Sequence, residues 1–201
     1  MGPMVVVGVT TSKENHKHLK GIVRSDSKRL SPQVRERLSV DVRRLLSAVI
    51  VNILPPAEID EWVLNRGPGG LNHLEATVMS KTIERLGAET VYVDSCDVNA
   101  ERFQRRLEGL VGGAVQVVST HKADEKYPIV SAASIIAKVI RDREIEKIAK
   151  VYGDVGTGYS HDERTIAFIE RWYGEKGDLP PIVRRSWRTA KRLVEGRRKP
   201  R

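Results

Sequence analysis

Thr90-Val-Tyr-Val-Asp94 and Ala114-Val-Gln-Val-Val118 are two β-branched runs separated by a helical stretch from Asn99 to Leu110. Strand, helix, strand in that order implies a parallel crossover, because parallel neighbours need a long connection and the helix supplies it. Upstream, Met4-Val-Val-Val-Gly-Val9 reads as a further buried strand, set off by Gly2-Pro3 and the polar stretch Thr10 to Lys20. Ser31-Pro32 gives an N-cap and a first-turn proline to an amphipathic helix carrying Val34, Leu38, Val42, Leu45 and Val49. Ala48 to Leu54 is β-rich and stops at Pro55-Pro56; Gly67 to Gly70 marks a turn before a helix with Leu71, Leu74, Val78 and Leu86. Downstream the pattern is all helical: Pro128 to about Lys150, Asp162 to Tyr173, and a last helix with Trp187, Ala190 and Val194. The expected fold is α/β, a sheet flanked by helices, with residues 1–150 as the main domain and 151–201 as a helical extension with a basic end.

With 201 residues, 40% apolar and 30% charged, the chain is long enough for one sizeable core and too apolar for wholesale disorder. No apolar run approaches the roughly 20 residues that cross a bilayer, so no membrane partner is expected. Neither a signal-peptide pattern nor a pairable cysteine is present, Cys96 being the single one, so a cytoplasmic setting is expected. The net charge of +9 is unevenly placed. Arg184 to Arg201 holds nine basic side chains against Glu195, while the remainder is near neutral. Such asymmetry suits either a polyanion partner or a solubilising tail.

Asp94 ends one strand of the crossover and Asp124 lies just beyond the other, in Thr120-His-Lys-Ala-Asp124. Parallel strands bring both ends to one sheet edge, where α/β folds bind ligands. Two such acids suit Mg2+ or Mn2+ and the displacement chemistry of a phosphodiester; the alternative is that they cap following helices. Asp26-Ser27-Lys28-Arg29 offers donors for phosphate, and Gly156-Thr-Gly-Tyr159-Ser-His161 puts an aromatic on a glycine turn before a helix, where it either stacks on a sugar or base or packs inward.

Val91-Tyr-Val-Asp94-Ser-Cys-Asp97, His121-Lys-Ala-Asp124, Ser131-Ala-Ala-Ser-Ile-Ile-Ala-Lys138 with Arg141-Asp142-Arg143, and Gly156-Thr-Gly-Tyr159 with Asp162 and Arg164-Thr165 together resemble ribonuclease HII in its archaeal form. Asp26-Ser27-Lys28, Leu71-Asn72 with Leu74-Glu75, and Pro180-Pro-Ile-Val-Arg184 with Trp187 extend the likeness over essentially the whole chain. The resemblance implies an RNase H-like mixed sheet and metal-dependent cleavage, with Mg2+ or Mn2+, of the RNA strand of RNA/DNA hybrids and of ribonucleotides embedded in DNA, leaving 5′-phosphomonoesters. It implies work in DNA replication and repair, and the chain is expected to act as a monomer.

Of the family's four metal-binding carboxylates, the resemblance assigns two to Asp94 and Asp124. The others belong to an Asp-Glu on a first strand, followed by a Gly-Arg-Gly turn, and this sequence begins downstream of that motif. The expectation is therefore a site lacking its first strand and impaired in cleavage. Asp97, Glu125 and Asp142 match positions of no catalytic role in the family. Lys28, Lys122 and Tyr159 are the expected nucleic-acid contacts, Tyr159 at the sugar of the DNA–RNA junction. The competing expectation is a non-catalytic binder of hybrid or duplex nucleic acid.

Overall fold

The computed structural model describes residues 1–23, 30–65, 69–113 and 115–196. In chain order the elements are β1 (Met4–Thr10), α1 (Lys13–Ile22), α2 (Pro32–Arg44), β2 (Ala48–Leu54), α3 (Pro56–Asn65), α4 (Gly70–Leu86), β3 (Thr90–Asp94), α5 (Ala100–Leu110), β4 (Gln116–Thr120), α6 (Ala123–Lys126), α7 (Pro128–Tyr152), α8 (Glu163–Lys176) and α9 (Arg188–Gly196). The fold is mixed α/β, with small sheets flanked by helices. Among the described residues, β1 pairs with β2 and β3 with β4.

β3 and β4 run parallel around α5, in the register Thr90↔Gln116 to Asp94↔Thr120. The second strand lies two residues later than its β-branched run suggests: Glu89 C=O accepts the Gln116 N–H at 2.8 Å and so fixes where pairing starts. Ser31 caps α2 by accepting the Val34 N–H, with Pro32 in the first turn, and Asn99 caps α5 by accepting the Arg102 N–H at 2.8 Å. Two helices are not apparent from apolar spacing. In α1, within the stretch that reads simply as polar, Ser12 supplies the cap and Leu19 is the one buried side chain. α3 starts at Pro56, where a proline that ends a strand also suits a first helical turn.

The chain gathers into two compact units. One comprises Val5–Asn52 and Asn72–Ile140. Its core has two clusters: Leu19, Val42, Ala132, Ile135 and Ile136, and separately Ala76, Ile83, Val93, Phe103, Leu107 and Val117. The second cluster is the underside of the β3–β4 crossover, so α4 and α5 hold the strands whose ends carry Asp94 and Thr120. The other unit comprises Met1–Met4, Ile53–Leu71 and the chain from Arg141 onward. It is built on Met1, Ile145, Val155, Phe168, Ile169 and Val183. Within it Asp60 accepts the backbone N–H groups of Arg185 and Ser186, at 2.6 and 2.9 Å.

On β1, Gly8 lies against α4: a Cβ there would sit 2.4 Å from Thr82 Cγ2 and 2.8 Å from Leu86 Cδ1. Gly8→Ala is expected to lower stability by about 1–3 kcal/mol through overpacking. The check is urea denaturation, where the midpoint should fall with an unchanged slope; a midpoint equal to the parent's would show that α4 moves aside freely.

Candidate active site

Asp94 is the last residue of β3 and lies opposite Thr120, the last of β4. The register continues one step beyond, since the Ser95 N–H donates to Thr120 C=O at 3.0 Å. The chain then reverses through His121 and Lys122, and Lys122 takes the left-handed conformation with φ 55°. This reversal aims the Ala123 N–H at Asp94, whose Oδ1 accepts it at 3.0 Å. Asp94 therefore caps α6 from a neighbouring strand, and the next residue of α6 is Asp124. A second contact seats α6 from its other end: Tyr127, its C-cap, meets the Tyr92 ring of β3 with centroids 4.4 Å apart.

Asp124 is 4% exposed. Asp94 is half-buried and has no hydrogen bond on its Oδ2 among the described residues. Around them, Lys126 Nζ donates to Thr120 Oγ1 at 2.6 Å, Lys122 pairs with Glu125 at 3.6 Å, and His121 is exposed. Two hard carboxylates, one with an open oxygen, form a donor set that fits a small divalent cation of the Mg2+ type, which keeps waters and completes its shell with substrate phosphate. Among the described residues no group of three or more His, Cys, Asp or Glu is placed to hold a metal.

The loop after Asp94 is tied down at several points. Asp97 is buried and accepts from Asn99 N–H at 3.0 Å and Arg102 Nε at 3.0 Å, and its Oδ1 also takes Arg102 Nη2. Bonds from Arg102, from the Asn99 backbone and from Asn72 hold the Asp97 carboxyl well below the usual carboxylate range. Desolvation, with Glu75 next to it, pushes the Cys96 thiol up, so it is poorly suited to nucleophilic or thiolate-ligand roles.

In the other unit, the Gly156–Tyr159 turn is built around Asp162 and Thr165. Asp162 Oδ2 accepts the Thr157 N–H at 2.5 Å and its hydroxyl at 2.7 Å, while Oδ1 caps α8 through the Arg164 N–H. Buried Thr165 accepts the Gly158 N–H and donates to Val155 C=O, each at 2.9 Å. The glycines are needed. Gly158 has φ 75°, and a Cβ on it would lie 2.7 Å from Ile145 Cδ1. Tyr159 emerges from this turn 41% exposed, with the Arg141 guanidinium carbon 3.8 Å from its ring centroid and His161 stacked at 5.5 Å.

The structure thus brings Asp94, Asp124 and Lys122 into one strand-end cluster and presents Tyr159 on a fixed turn. Lys28 lies outside the described residues, as do Asp26 and Ser27. Sequence reading left Thr165 and Arg141 without roles of their own: Arg141 lies eighteen positions before Tyr159, and no local pattern connects them.

The Ribonuclease HII family profile matches residues 1–190. A Ribonuclease HII of Pyrococcus abyssi is 43% identical over 97% of this chain and 86% of its own. Among solved structures, the ribonuclease H2 from Pyrococcus horikoshii is 41% identical with a TM-score of 0.87, covering 100% of this chain and 93% of that one. A structure of the PCNA:RNase HII complex from Archaeoglobus fulgidus is similar at 40% identity and a TM-score of 0.86, over 96% of this chain and 90% of that one.

The bonds from the Thr157 hydroxyl and N–H hold the Asp162 carboxyl down at about 2. A depressed acid contributes stability above its unfolded value near 4, and that contribution is lost as pH falls through about 2. Asp162→Asn should therefore flatten the fall in Tm between pH 4 and 2 and lower Tm at pH 7. Parallel Tm–pH curves for parent and variant would remove Asp162 from that role.

Proposed function

Because this chain belongs to the ribonuclease HII family, we propose that it is a metal-dependent endonuclease that cleaves the RNA strand of RNA/DNA hybrids and ribonucleotides embedded in DNA. The observation that carries the reading is the carboxylate pair: Asp94 caps the helix turn that bears Asp124, so two acids share one strand-end site. Asp94 and Asp124 are the residues that would hold Mg2+ or Mn2+. A bound divalent cation of this kind supplies charge neutralisation at a phosphodiester and an activated water. Products with 5′-phosphates and a role in replication and repair follow from this reading, with action in the cytoplasm as a monomer.

What the chain's own residues do can be derived separately. Asp94 Oδ1 is occupied by the Ala123 N–H, which fixes the carboxylate plane and leaves Oδ2 for ligation. Burial of Asp124 removes bulk water from one side of the site, which strengthens its attraction for a cation. Lys122, exposed at the left-handed turn and paired with Glu125, would supply a cation for a backbone phosphate in this reading. Tyr159 presents a ring for the sugar at the DNA–RNA junction, and its fixed turn limits the conformational entropy lost on binding.

A second reading, a non-catalytic binder of hybrid or duplex nucleic acid, is favoured by one observation: the described residues bring together two carboxylates and no third candidate ligand. A weakened enzyme and a pure binder differ in one measurement. With a duplex carrying a single ribonucleotide, the enzyme reading expects cleavage that requires Mg2+ or Mn2+. Asp94→Asn and Asp124→Asn should each reduce it about 100-fold or more, while affinity for the duplex stays within about threefold. Cleavage at the parent rate in either variant overturns the assignment. Tight binding of the duplex with no cleavage at any metal concentration selects the binder.

A further inference from the structure

Arg141 is half-buried in α7, and its guanidinium is held on two sides. Nη1 donates to Thr157 C=O at 3.1 Å, and its plane lies over the Tyr159 ring with the central carbon 3.8 Å from the centroid. A Cβ on Gly158 would come within 3.0 Å of Nη2, so the glycine turn is folded closely around this side chain. The guanidinium has no carboxylate partner and no other hydrogen bond among the described residues. Asp142, Arg143, Glu144 and Lys147 lie on the same helix; neither acid bonds Arg141, and Glu144 is engaged by Lys147 Nζ at 2.6 Å.

A guanidinium has five N–H donors in a fixed fork and stays charged at all working pH values. Here one donor is used and the rest are not. An arginine committed only to structure usually meets a carboxylate or several carbonyls, as Arg102 meets Asp97 and Arg185 meets Asp178 in this chain. Arg141 is instead stacked on the exposed aromatic, which fixes its orientation without satisfying its charge. The partner that matches an oriented, unpaired fork beside a sugar-stacking ring is a phosphate diester oxygen pair.

We propose that Arg141 is a phosphate-binding residue, taking one of the two backbone phosphates that flank the sugar contacted by Tyr159. This rests on the reading of Tyr159 given under Proposed function. Stacking on Tyr159 and the bond to Thr157 pre-organise the guanidinium, so ring and fork act as one reader of a nucleotide: the ring takes the sugar and the fork the adjoining phosphate. Lysine in this position would supply charge without the plane that stacks or the paired donors.

The test measures binding, without divalent metal, of a duplex carrying one ribonucleotide. Each flanking phosphate is replaced in turn by an uncharged methylphosphonate, and the proteins are the parent, Arg141→Gln and Arg141→Lys. One methylphosphonate should weaken the parent about tenfold, the scale of a hydrogen-bonded charge. Arg141→Gln should lose a similar amount on the natural duplex, lose nothing further on that methylphosphonate, and flatten the slope of log K against log salt by about 0.9. Arg141→Lys, the more conservative change, should keep the salt slope and keep part of the linkage sensitivity. Full additivity of Arg141→Gln with both methylphosphonates, or an unchanged salt slope, overturns the proposal. Tyr159→Ala serves as the separate arm: if it leaves discrimination between ribonucleotide-bearing and all-DNA duplexes unchanged, the Tyr159 reading fails, whatever Arg141 shows in the linkage assay.

Discussion

One hydrogen bond, from the Ala123 N–H to Asp94 Oδ1, determines the character of the strand-end site. An acid at the end of β3 and another on the short helix after β4 repel when both are ionised, and a fold that brings them to one sheet edge needs a positive counterpart. Here the counterpart is backbone. The left-handed Lys122 turns the chain so that the first N–H of α6 points at Asp94, and the short helix offers its partial positive end to the carboxylate. The Tyr92–Tyr127 ring contact holds the same segment from the far side. Parallel pairing of β3 with β4 in the stated register is what makes both contacts possible. A slip of one residue would move Asp94 away from Thr120 and turn every β3 side chain to the opposite face.

The same economy of means appears in the Tyr159 turn, with different components. Asp162 and Thr165, three positions apart on the first turn of α8, answer the donors of Thr157 and Gly158 in a loop that precedes them. A helix N-terminus so arranged acts as a rigid support for the residue that leaves the loop. Glycine at 156 and 158 is then a steric requirement: a Cβ at 156 would lie 2.7 Å from both Asp162 Oδ2 and Thr165 Oγ1.

These arrangements differ in how far the sequence discloses them. The crossover was legible because two β-branched runs flank a helical stretch, and Asp94 follows at once on the apolar run Val91-Tyr92-Val93 and so reads as a strand end. α8 was legible as a helical run from Asp162 to Tyr173, whereas the capping role of Asp162 emerges only in the structure. α1 was not, since ten residues with a single buried side chain give no apolar period, and its cap, Ser12, sits in a stretch dominated by Lys and His. The left-handed Lys122 has no sequence signal, because a non-glycine residue takes that conformation only when tertiary contacts such as Asp94–Ala123 require it. Arg141 and Tyr159 meet because a loop returns to its helix, and spacing along a chain does not register such returns.

Asp94 and Asp97 stand three residues apart, and what separates them is how their oxygens are used. Asp97 takes Arg102 on both oxygens and the Asn99 N–H as well, so its charge is neutralised inside the protein and its carboxyl is held strongly ionised. A cation arriving there would have to displace a guanidinium. Asp94 takes one backbone N–H on one oxygen and leaves the other open, with buried Asp124 one residue beyond that N–H. The first arrangement locks the loop after β3; the second leaves one carboxylate oxygen without a protein hydrogen bond among the described residues. Saturation of a carboxylate's lone pairs, read atom by atom, thus distinguishes an acid that holds the fold from one available to a ligand. The same accounting applies to cations in this chain: Arg102 is closed by Asp97, while Arg141, oriented by a ring and bonded once, is open.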